Sequence, residues 1–371
     1  MEQNSLVAQW DGRFGALGSR SGGFLPKAII DSTTPGGSRR DQEEGQGGVP
    51  GAGAADAAHG DFCSFLAGGS GSRLYVGTPS MAGVCDRIRA LANFEVHRGV
   101  TVTDLRLEGG GWRVVADAEQ QAAAVDSGGF HAAVVAAHNP ALAAAAVRGL
   151  AGGVQQDIEA RAAGESTAMA DGEVGPAQLL DRLRSLGESL QELRDKHKAP
   201  VYTLSAAYPA GSLSTHLPFD AAALPSSEDF SLVVRDASRP GRHSACAKEE
   251  ELWTAVATPR LSGELLVTAP GPDAAAEALA QRLAALLAPA LAAQGQPSAP
   301  APLRTAAKCW RAGFTTSTLG LKEESVCLEP WRLAICGDFV RRHPSPLEAA
   351  VLSGMEAGER VASWFAESAG A

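Results

Sequence analysis

The most constraining feature of the sequence is a strand, a Gly-Asp turn and a marked helix start near the C-terminus. The apolar run from Leu333 to Cys336 predicts a strand that ends at Gly337-Asp338. Glycine lets the backbone turn and lets a ligand approach closely, and aspartate can accept hydrogen bonds from sugar hydroxyls. This order is typical of α/β proteins, both those that bind a nucleotide at the turn and those with no ligand there.

The segment after this turn carries a strong helix N-terminus. Ser345 is a good N-cap, Pro346 suits the first helical position and Glu348 completes a capping box. We therefore predict a helix from Ser345 to Phe365. The free N–H groups and partial positive charge at its start can stabilise a phosphate, or the negative charge on a reduced flavin ring. Four small residues would let a planar ring or another helix pack close: Ala349, Ala350, Ser353 and Gly354.

Helix and strand patterns alternate along the rest of the chain. Helices are predicted at Ser80–Leu91, at Asp273–Ala293 and at a leucine repeat from Leu179 to Leu193, which favours packing on the domain over a coiled-coil dimer. The predicted strands are 94–97, 100–107, 112–115, 130–137, 201–207, 230–234 and 252–257. Residues 33–60 and 151–175 are predicted loops. The alternation favours an α/β fold with an α+β insertion.

Composition narrows the classes of partner. The chain has 371 residues and a formal net charge of -10, which argues against nucleic acid and anionic membranes as partners. Its six cysteines form no C-x-x-C pair and no zinc-type spacing, so we predict reduced thiols and no metal site. No apolar run approaches the length of a membrane span and no secretory signal is visible, so we expect a soluble intracellular protein.

We predict structural or surface roles, and not catalytic ones, for several isolated histidine, lysine and tryptophan residues. His131 and His138 flank a buried strand, and we expect a structural or surface role for both rather than catalysis. The Lys196–Lys198 cluster is interpreted as a solvated helix end, where positive charge is favourable. Trp310 and Trp331 are predicted core anchors rather than residues that stack on a flavin.

Several of these segments together resemble a known family. Gly337-Asp338, with the following segment Glu348–Arg360, is similar to the C-terminal flavin-binding segment of amine-oxidase-type flavoproteins. Further matches to the renalase-like branch follow the same order along the chain, and they are Leu74–Met81 (LYVGTPSM), Val100–Val102 (VTV), Val233–Arg242 (VVRDASRPGR) and Lys308–Ala312 (KCWRA). Each match is modest, and their collinearity over residues 73–365 carries the resemblance.

The resemblance implies an FAD-dependent oxidoreductase. It implies a Rossmann-like FAD-binding domain and a sheet-based substrate domain, with hydride transfer from an amine or dihydronicotinamide-type small-molecule donor to the flavin and then to oxygen. The cofactor would supply the chemistry, so no catalytic side chain is assigned. The implied cofactor-binding residues are Val102, Gly337, Asp338, Glu348, Ala349, Ala350, Ser353 and Gly354.

The glycine-rich unit that opens this family is not recognisable in the sequence. Gly51-Ala52-Gly53 comes nearest to G-x-G-x-x-G, but it follows Pro50 in a loop-like stretch with no strand before it. We therefore expect an FAD domain that is incomplete at its N-terminus. Several explanations of the missing unit stay open: the chain is a truncated oxidase or a natural pseudo-enzyme, or a separate chain supplies the unit. A non-catalytic interaction protein is the alternative function. The expected parts are an N-terminal segment, 1–72, an FAD-binding domain, 73–150 with 304–371, and a substrate domain, 151–303.

Overall fold

The protein is described by a computed structural model in which two compact units can be distinguished. The described residues are 7–17, 24–26, 74–78, 80–91, 94–117, 129–163, 175–242, 249–296, 298–343 and 346–369. The first unit is Met1–Phe94 with Ala199–Phe314, and the second is Glu95–Lys198 with Thr315–Ala371. The predicted loop 33–60, the Gly51-Ala52-Gly53 stretch and Ser345 lie outside the described residues.

The fold is a mixture of helices and strands, as the sequence predicts. The strands are β1 (Val7–Gln9), β2 (Phe14–Leu17), β3 (Phe24–Pro26), β4 (Tyr75–Gly77), β5 (Val102–Glu108), β6 (Gly111–Ala116), β7 (Ala133–Ala136), β8 (Lys198–Pro209), β9 (Ala221–Ala223), β10 (Phe230–Arg235), β11 (Glu250–Ala257), β12 (Arg304–Thr315), β13 (Val326–Leu328) and β14 (Leu333–Cys336). The α-helices are α1 (Met81–Leu91), α2 (Ala141–Ala162), α3 (Pro176–Lys196), α4 (Pro259–Thr268), α5 (Pro272–Ala292) and α6 (Pro346–Ala369).

The first unit is built on a mainly antiparallel sheet. Seven strands lie in the order β12-β8-β11-β10-β9-β2-β3, and β1 pairs separately with β4. Helix α4 begins after Thr258, whose hydroxyl accepts a hydrogen bond from Leu261 N, and Pro259 occupies the first turn. The core of this unit joins strand residues such as Trp253 to the buried stripe of α5.

Helix α5 is apolar on much of its surface because alanine and leucine dominate its sequence. Among the described residues it is the one helix long and apolar enough to cross a membrane, judged by length and composition alone. The expectation that no apolar run approaches such a length therefore does not hold for this segment. Its buried residues Leu279, Leu283 and Leu287, four positions apart, lie in the core of the first unit, as is usual for a core helix.

The second unit combines two small sheets with three helices. The hairpin β5–β6 closes through Gly109 and Gly110, whose φ angles of 59° and 81° suit a two-residue turn. A second sheet has the order β13-β14-β7, with β7 parallel to β14. Residues Leu183 and Leu190 of α3 are buried in the core of this unit, so the leucine repeat packs on its own domain as predicted.

Two predictions of secondary structure are wrong. Residues 94–97 form no strand. Residues up to Ala162 of the predicted loop 151–175 belong to helix α2, and 164–174 lie outside the described residues. Helix α2 consists largely of alanine and glycine, which give little contrast between a buried and an exposed face. The assignment of cofactor and substrate domains, whose bounds differ from those of the two units, stays a prediction.

Candidate functional site

The carboxyl ends of two parallel strands meet at one edge of the second unit. In the register of β7 and β14, Ala136 lies beside Cys336, so the residues after each strand leave the sheet together. His138 follows β7 and Asp338 follows β14. This edge of an α/β sheet is where ligands commonly bind.

Asp338 is the centre of a hydrogen-bonded cluster at this edge. His138 Nδ1 lies 3.2 and 3.1 Å from the two carboxylate oxygens of Asp338. The Thr315 hydroxyl donates to Asp338 Oδ2 at 3.2 Å. The Asp338 side chain is 12% exposed and that of His138 is 40% exposed, so solvent reaches the cluster from the histidine side.

Lys198 completes the cluster with its three ammonium donors. Its Nζ donates to the backbone oxygen of His138 at 2.6 Å and to the Thr315 hydroxyl, and it lies 3.4 Å from His138 Nε2. These contacts fit one tautomer, in which His138 Nδ1 donates to Asp338 and Nε2 accepts from Lys198. Donors and acceptors then match throughout the cluster.

Burial and neighbouring charges shift the pKa values of Asp338 and Lys198 in opposite directions. Burial alone would raise the pKa of Asp338, but the hydrogen bond from His138, the positive charge of Lys198 and the Thr315 hydroxyl lower it below its ordinary value. Burial lowers the pKa of Lys198, and the charge of Asp338 opposes that change in part. Lys198 is therefore partly buried in a hydrogen-bonded cluster. The interpretation of Lys196–Lys198 as a solvated helix end is wrong for Lys198 but agrees with Lys196, which is exposed in the last turn of α3.

Gly337 is required at the turn because its surroundings leave no room for a side chain. A Cβ atom there would lie 2.6 Å from the Phe339 ring and 2.9 Å from the Ala137 carbonyl oxygen. The Gly337 N–H donates to Ser353 Oγ at 3.0 Å. The close approach at this glycine is thus made by atoms of the protein itself.

The predicted small residues of helix α6 divide between two faces. Ala349 and Ser353 are 3% and 1% exposed, and together with Ala357 they form a buried stripe four residues apart. Ala350 and Gly354 are exposed, and a Cβ added at Gly354 would meet nothing within 4 Å. The buried residues position the helix, whereas the exposed ones remain accessible to a ligand.

The other predicted site residues lie elsewhere on the second unit. Glu348 is exposed in the first turn of α6. Val102 begins strand β5 and pairs with Ala116, so it belongs to the hairpin and not to the sheet that carries Gly337 and Asp338. The structure brings Gly337 and Ser353 into direct contact and places Asp338 beside His138 instead.

Sequence reasoning missed the partners of Asp338. His138 was expected to be structural or at the surface, and Thr315 gave no signal because a lone threonine in a strand is common. The parallel pairing of two buried apolar strands offered one clue, since the polar residue after each strand then lies at the same edge. Trp331 is partly buried against the core of the second unit, whereas Trp310 is 50% exposed with Lys308 over its ring and is no core anchor.

The segment 233–242 of the first unit forms an ion-pair cluster. Asp236 is 3% exposed and accepts hydrogen bonds from Arg239 and Arg242, each at 3.1 Å. The Arg239 guanidinium also lies 5.5 Å from the centre of the Trp10 ring. These contacts give the arginines of the segment a role in holding the strand end after β10.

No family model and no curated protein matches the sequence. Solved structures that resemble the chain include a protein assigned as a protoporphyrinogen oxidase from Exiguobacterium sp. 255-15, at 8% identity and a TM-score of 0.47. An oxidoreductase from Methanosarcina mazei resembles it at 10% identity and a TM-score of 0.46. Putrescine oxidase with bound putrescine does so at 11% identity and a TM-score of 0.41.

These matches cover the solved structures only in part. They span 83%, 77% and 78% of this chain but 58%, 55% and 54% of the respective structures. The chain therefore corresponds to little more than half the length of the proteins it resembles. Likeness of this degree establishes neither a family nor an activity.

Proposed function

We propose that the chain is an FAD-dependent oxidoreductase of the amine-oxidase type, closest to the renalase-like branch. The observation that carries the proposal is that Asp338 and His138 meet at the carboxyl edge of the parallel strands β7 and β14, where the turn at Gly337 contacts helix α6 through Ser353. Crevices at this edge are the usual site of nucleotide cofactors in α/β folds. The order of the family-like segments along the sequence supports the same proposal.

The residues of this edge fit a flavin in part. Ala350 and Gly354 leave one side of α6 bare, so a planar ring could approach its backbone. Gly337, Ala349 and Ser353 are occupied by contacts within the protein, and we assign them to positioning the turn and the helix. In this proposal Ala350 and Gly354 contact the cofactor, whereas Gly337, Ala349 and Ser353 hold the turn and the helix in place.

When bound, FAD would accept a hydride from an amine or dihydronicotinamide-type donor and pass the electrons to oxygen. The residues of the chain would supply position and charge. Asp338 orients the His138 ring through Nδ1, and Lys198 holds Nε2 from the other side. With both ring nitrogens bonded, the half-exposed imidazole is held in one orientation at this edge.

The proposal is tested by assaying the FAD-loaded chain for hydrogen peroxide release. One series uses primary and secondary amines as donors, and the other uses reduced nicotinamide dinucleotides and their isomers. We expect flavin bleaching without oxygen and peroxide release with oxygen for at least one of the two classes. Bound flavin that no donor of either class reduces would overturn the proposed reaction.

A second candidate function is that of a non-catalytic interaction protein. The observation that favours it is an apolar stripe on the outer face of α6, where Leu347, Val351 and Met355 are 55%, 51% and 58% exposed. Stripes of this kind often mark contact surfaces. Replacing Val351 and Met355 by glutamate should abolish a self-association or partner complex without unfolding the protein, and donor-dependent peroxide release would argue against this candidate.

A further inference from the structure

The turn that follows strand β10 brings two arginines close together. Residues 239–242, with the sequence Arg-Pro-Gly-Arg, form a β-turn that is closed by a hydrogen bond from the Arg242 N–H to the Arg239 carbonyl oxygen at 3.1 Å. Proline at the second position and a φ angle of 76° at Gly241, the third position, are typical of a type II turn. The Cα atoms of the first and fourth residues of such a turn lie less than about 7 Å apart, so the two guanidiniums can meet one ligand.

A buried carboxylate holds both guanidiniums in place. Asp236 accepts a hydrogen bond from Arg239 Nη1 at Oδ1 and another from Arg242 Nη1 at Oδ2, each at 3.1 Å. The side chains of the two arginines are 25% and 29% exposed, whereas that of Asp236 is 4% exposed. The carboxylate therefore lies beneath two guanidiniums that solvent can reach. Because Asp236 already orders them, a ligand would bind with a smaller entropic cost.

The turn has more hydrogen-bond donors than acceptors. Arg239 Nε is buried and finds no acceptor among the described residues, and the same holds for Trp10 Nε1. The Trp10 ring lies 5.5 Å from the Arg239 guanidinium. A guanidinium carries five N–H donors and no acceptor. The pairing with Asp236 thus leaves Arg239 incompletely satisfied, which favours a further acceptor on its exposed side.

The charges of the two arginines act against each other. Burial lowers the pKa of Arg239, the charge of Asp236 opposes that change, and the charge of Arg242 lowers the pKa further. The neighbouring guanidinium therefore disfavours the protonated form of Arg239. An anion in contact with both groups would offset this repulsion.

Two further guanidiniums add positive charge at the same end of the sheet. Arg235, the last residue of β10, and Arg13 both form ion pairs with Asp220, at 2.8 and 3.1 Å. The Asp220 side chain is 8% exposed, and its backbone oxygen accepts a hydrogen bond from the Arg235 N–H at 2.7 Å. Four guanidiniums therefore lie around two buried carboxylates, in a chain whose formal net charge is -10. A local excess of this sign attracts anions.

We propose that the turn 239–242 binds a phosphate group, either as inorganic phosphate or as part of a phosphate monoester. A tetrahedral phosphate has enough oxygens to accept hydrogen bonds from two planar guanidiniums at once, whereas a planar carboxylate matches one. A phosphate monoester carries a charge of about -1.5 to -2 at pH 7, which suits the surplus of guanidiniums over carboxylates. All residues of this site belong to the first unit, and the proposal needs neither a flavin nor an electron donor.

The first test is a calorimetric titration of the full chain with inorganic phosphate, at low salt and in a buffer that contains no other oxyanion. We expect a dissociation constant of about 1 mM or lower, since two charged hydrogen-bond pairs would form. Arg242→Lys keeps the charge but loses the planar fork, so binding should weaken by about fivefold or more. Arg260→Lys is the matched control, because Arg260 is an exposed arginine of the same unit that pairs with Glu228. The control should bind phosphate as the wild type does.

The second test distinguishes the two sources of the phosphate group and needs no variant. The wild-type chain is titrated with glycerol 3-phosphate and with acetate. Tighter binding of glycerol 3-phosphate than of inorganic phosphate would identify a monoester as the ligand, and the reverse order would identify free phosphate. Acetate should bind at least about tenfold more weakly than the better phosphate, because it can pair with one guanidinium only.

Four results would overturn the proposal. The first is that neither inorganic phosphate nor glycerol 3-phosphate binds to the wild-type chain, and the second is that acetate binds as tightly as they do. The third is unchanged phosphate binding in Arg242→Lys, and the fourth is equal weakening in Arg242→Lys and Arg260→Lys, because binding would then not depend on the turn. If circular dichroism shows that Arg242→Lys is unfolded, Arg239→Lys takes its place and the ligand series still decides.

Discussion

The Gly337 N–H donates a hydrogen bond to the Ser353 hydroxyl over 3.0 Å. This bond joins the turn after β14 to the buried face of α6. Ser353 is 1% exposed, so the bond is shielded from water and an unpaired donor here would be costly. The carboxylate that follows in the chain, Asp338, is positioned by this turn.

The first prediction concerns the missing side chain at Gly337. Gly337→Ala places a Cβ 2.6 Å from the Phe339 ring and 2.9 Å from a backbone oxygen, so we expect a loss of about 2–4 kcal/mol in the free energy of unfolding. Gly354→Ala is the control, because its Cβ meets nothing within 4 Å. That change should be neutral or stabilise the helix by up to about 1 kcal/mol. Urea unfolding of both variants decides, and equal stabilities would contradict the steric argument.

The second prediction concerns the Ser353 hydroxyl. Ser353→Ala leaves the Gly337 N–H without its acceptor in a buried place, so the free energy of unfolding should fall by about 1–3 kcal/mol. Ser353→Thr keeps the hydroxyl and serves as a comparison, although its extra methyl group must be accommodated. Amide hydrogen exchange at Gly337 should accelerate in the alanine variant. An unchanged exchange rate would show that the bond does not protect the turn.

The third prediction concerns the response of the Asp338 cluster to acid. The pKa of Asp338 lies below its ordinary value, so the ionised carboxylate stabilises the fold above its unfolded pKa of about 4. That contribution is lost as the pH falls through the lower, folded-state pKa. Asp338→Asn should therefore be less stable than the wild type at pH 7, and the difference should shrink as the pH falls below about 4.

The measurement for the third prediction is urea unfolding at a series of pH values. The reference variant is Asp195→Asn, which removes an exposed carboxylate of α3. It should change stability by less than about 0.5 kcal/mol. A stability difference between wild type and Asp338→Asn that stays constant down to pH 2 would show that the carboxylate charge is not what stabilises the cluster.

The sequence predicted the elements of this site better than its contacts. The apolar run of β14 and the proline at the start of α6 are local signals, and the structure confirms the strand and the helix. The four small residues of α6 were predicted together as a surface for close packing. The structure shows that two of them, Ala349 and Ser353, are buried. Helical period alone cannot say which small side chain meets the sheet, because alanine and glycine fit either face.

The pairing of Asp338 with His138 depends on a contact between residues 200 positions apart. Such a contact follows from the parallel register of β7 and β14, which the sequence does not specify. The same holds for Lys198 and Thr315, which are separated by 117 positions. Local patterns therefore identified the turn and the helix, whereas the charged cluster became visible only in the folded chain.

The central claim is that FAD binds where helix α6 lies beside the carboxyl ends of β7 and β14. The absorption spectrum of the purified chain tests this claim most directly. The wild-type chain, Gly354→Leu and Gly358→Leu are incubated with FAD and desalted. Both glycines are exposed on α6 with open space beside them, but Gly354 lies one turn nearer the start of the helix and follows Ser353, which contacts the turn at Gly337. The account predicts a retained flavin band in the wild type and in Gly358→Leu, and its loss in Gly354→Leu. A colourless wild-type protein, or a band that Gly354→Leu leaves unchanged, would contradict it.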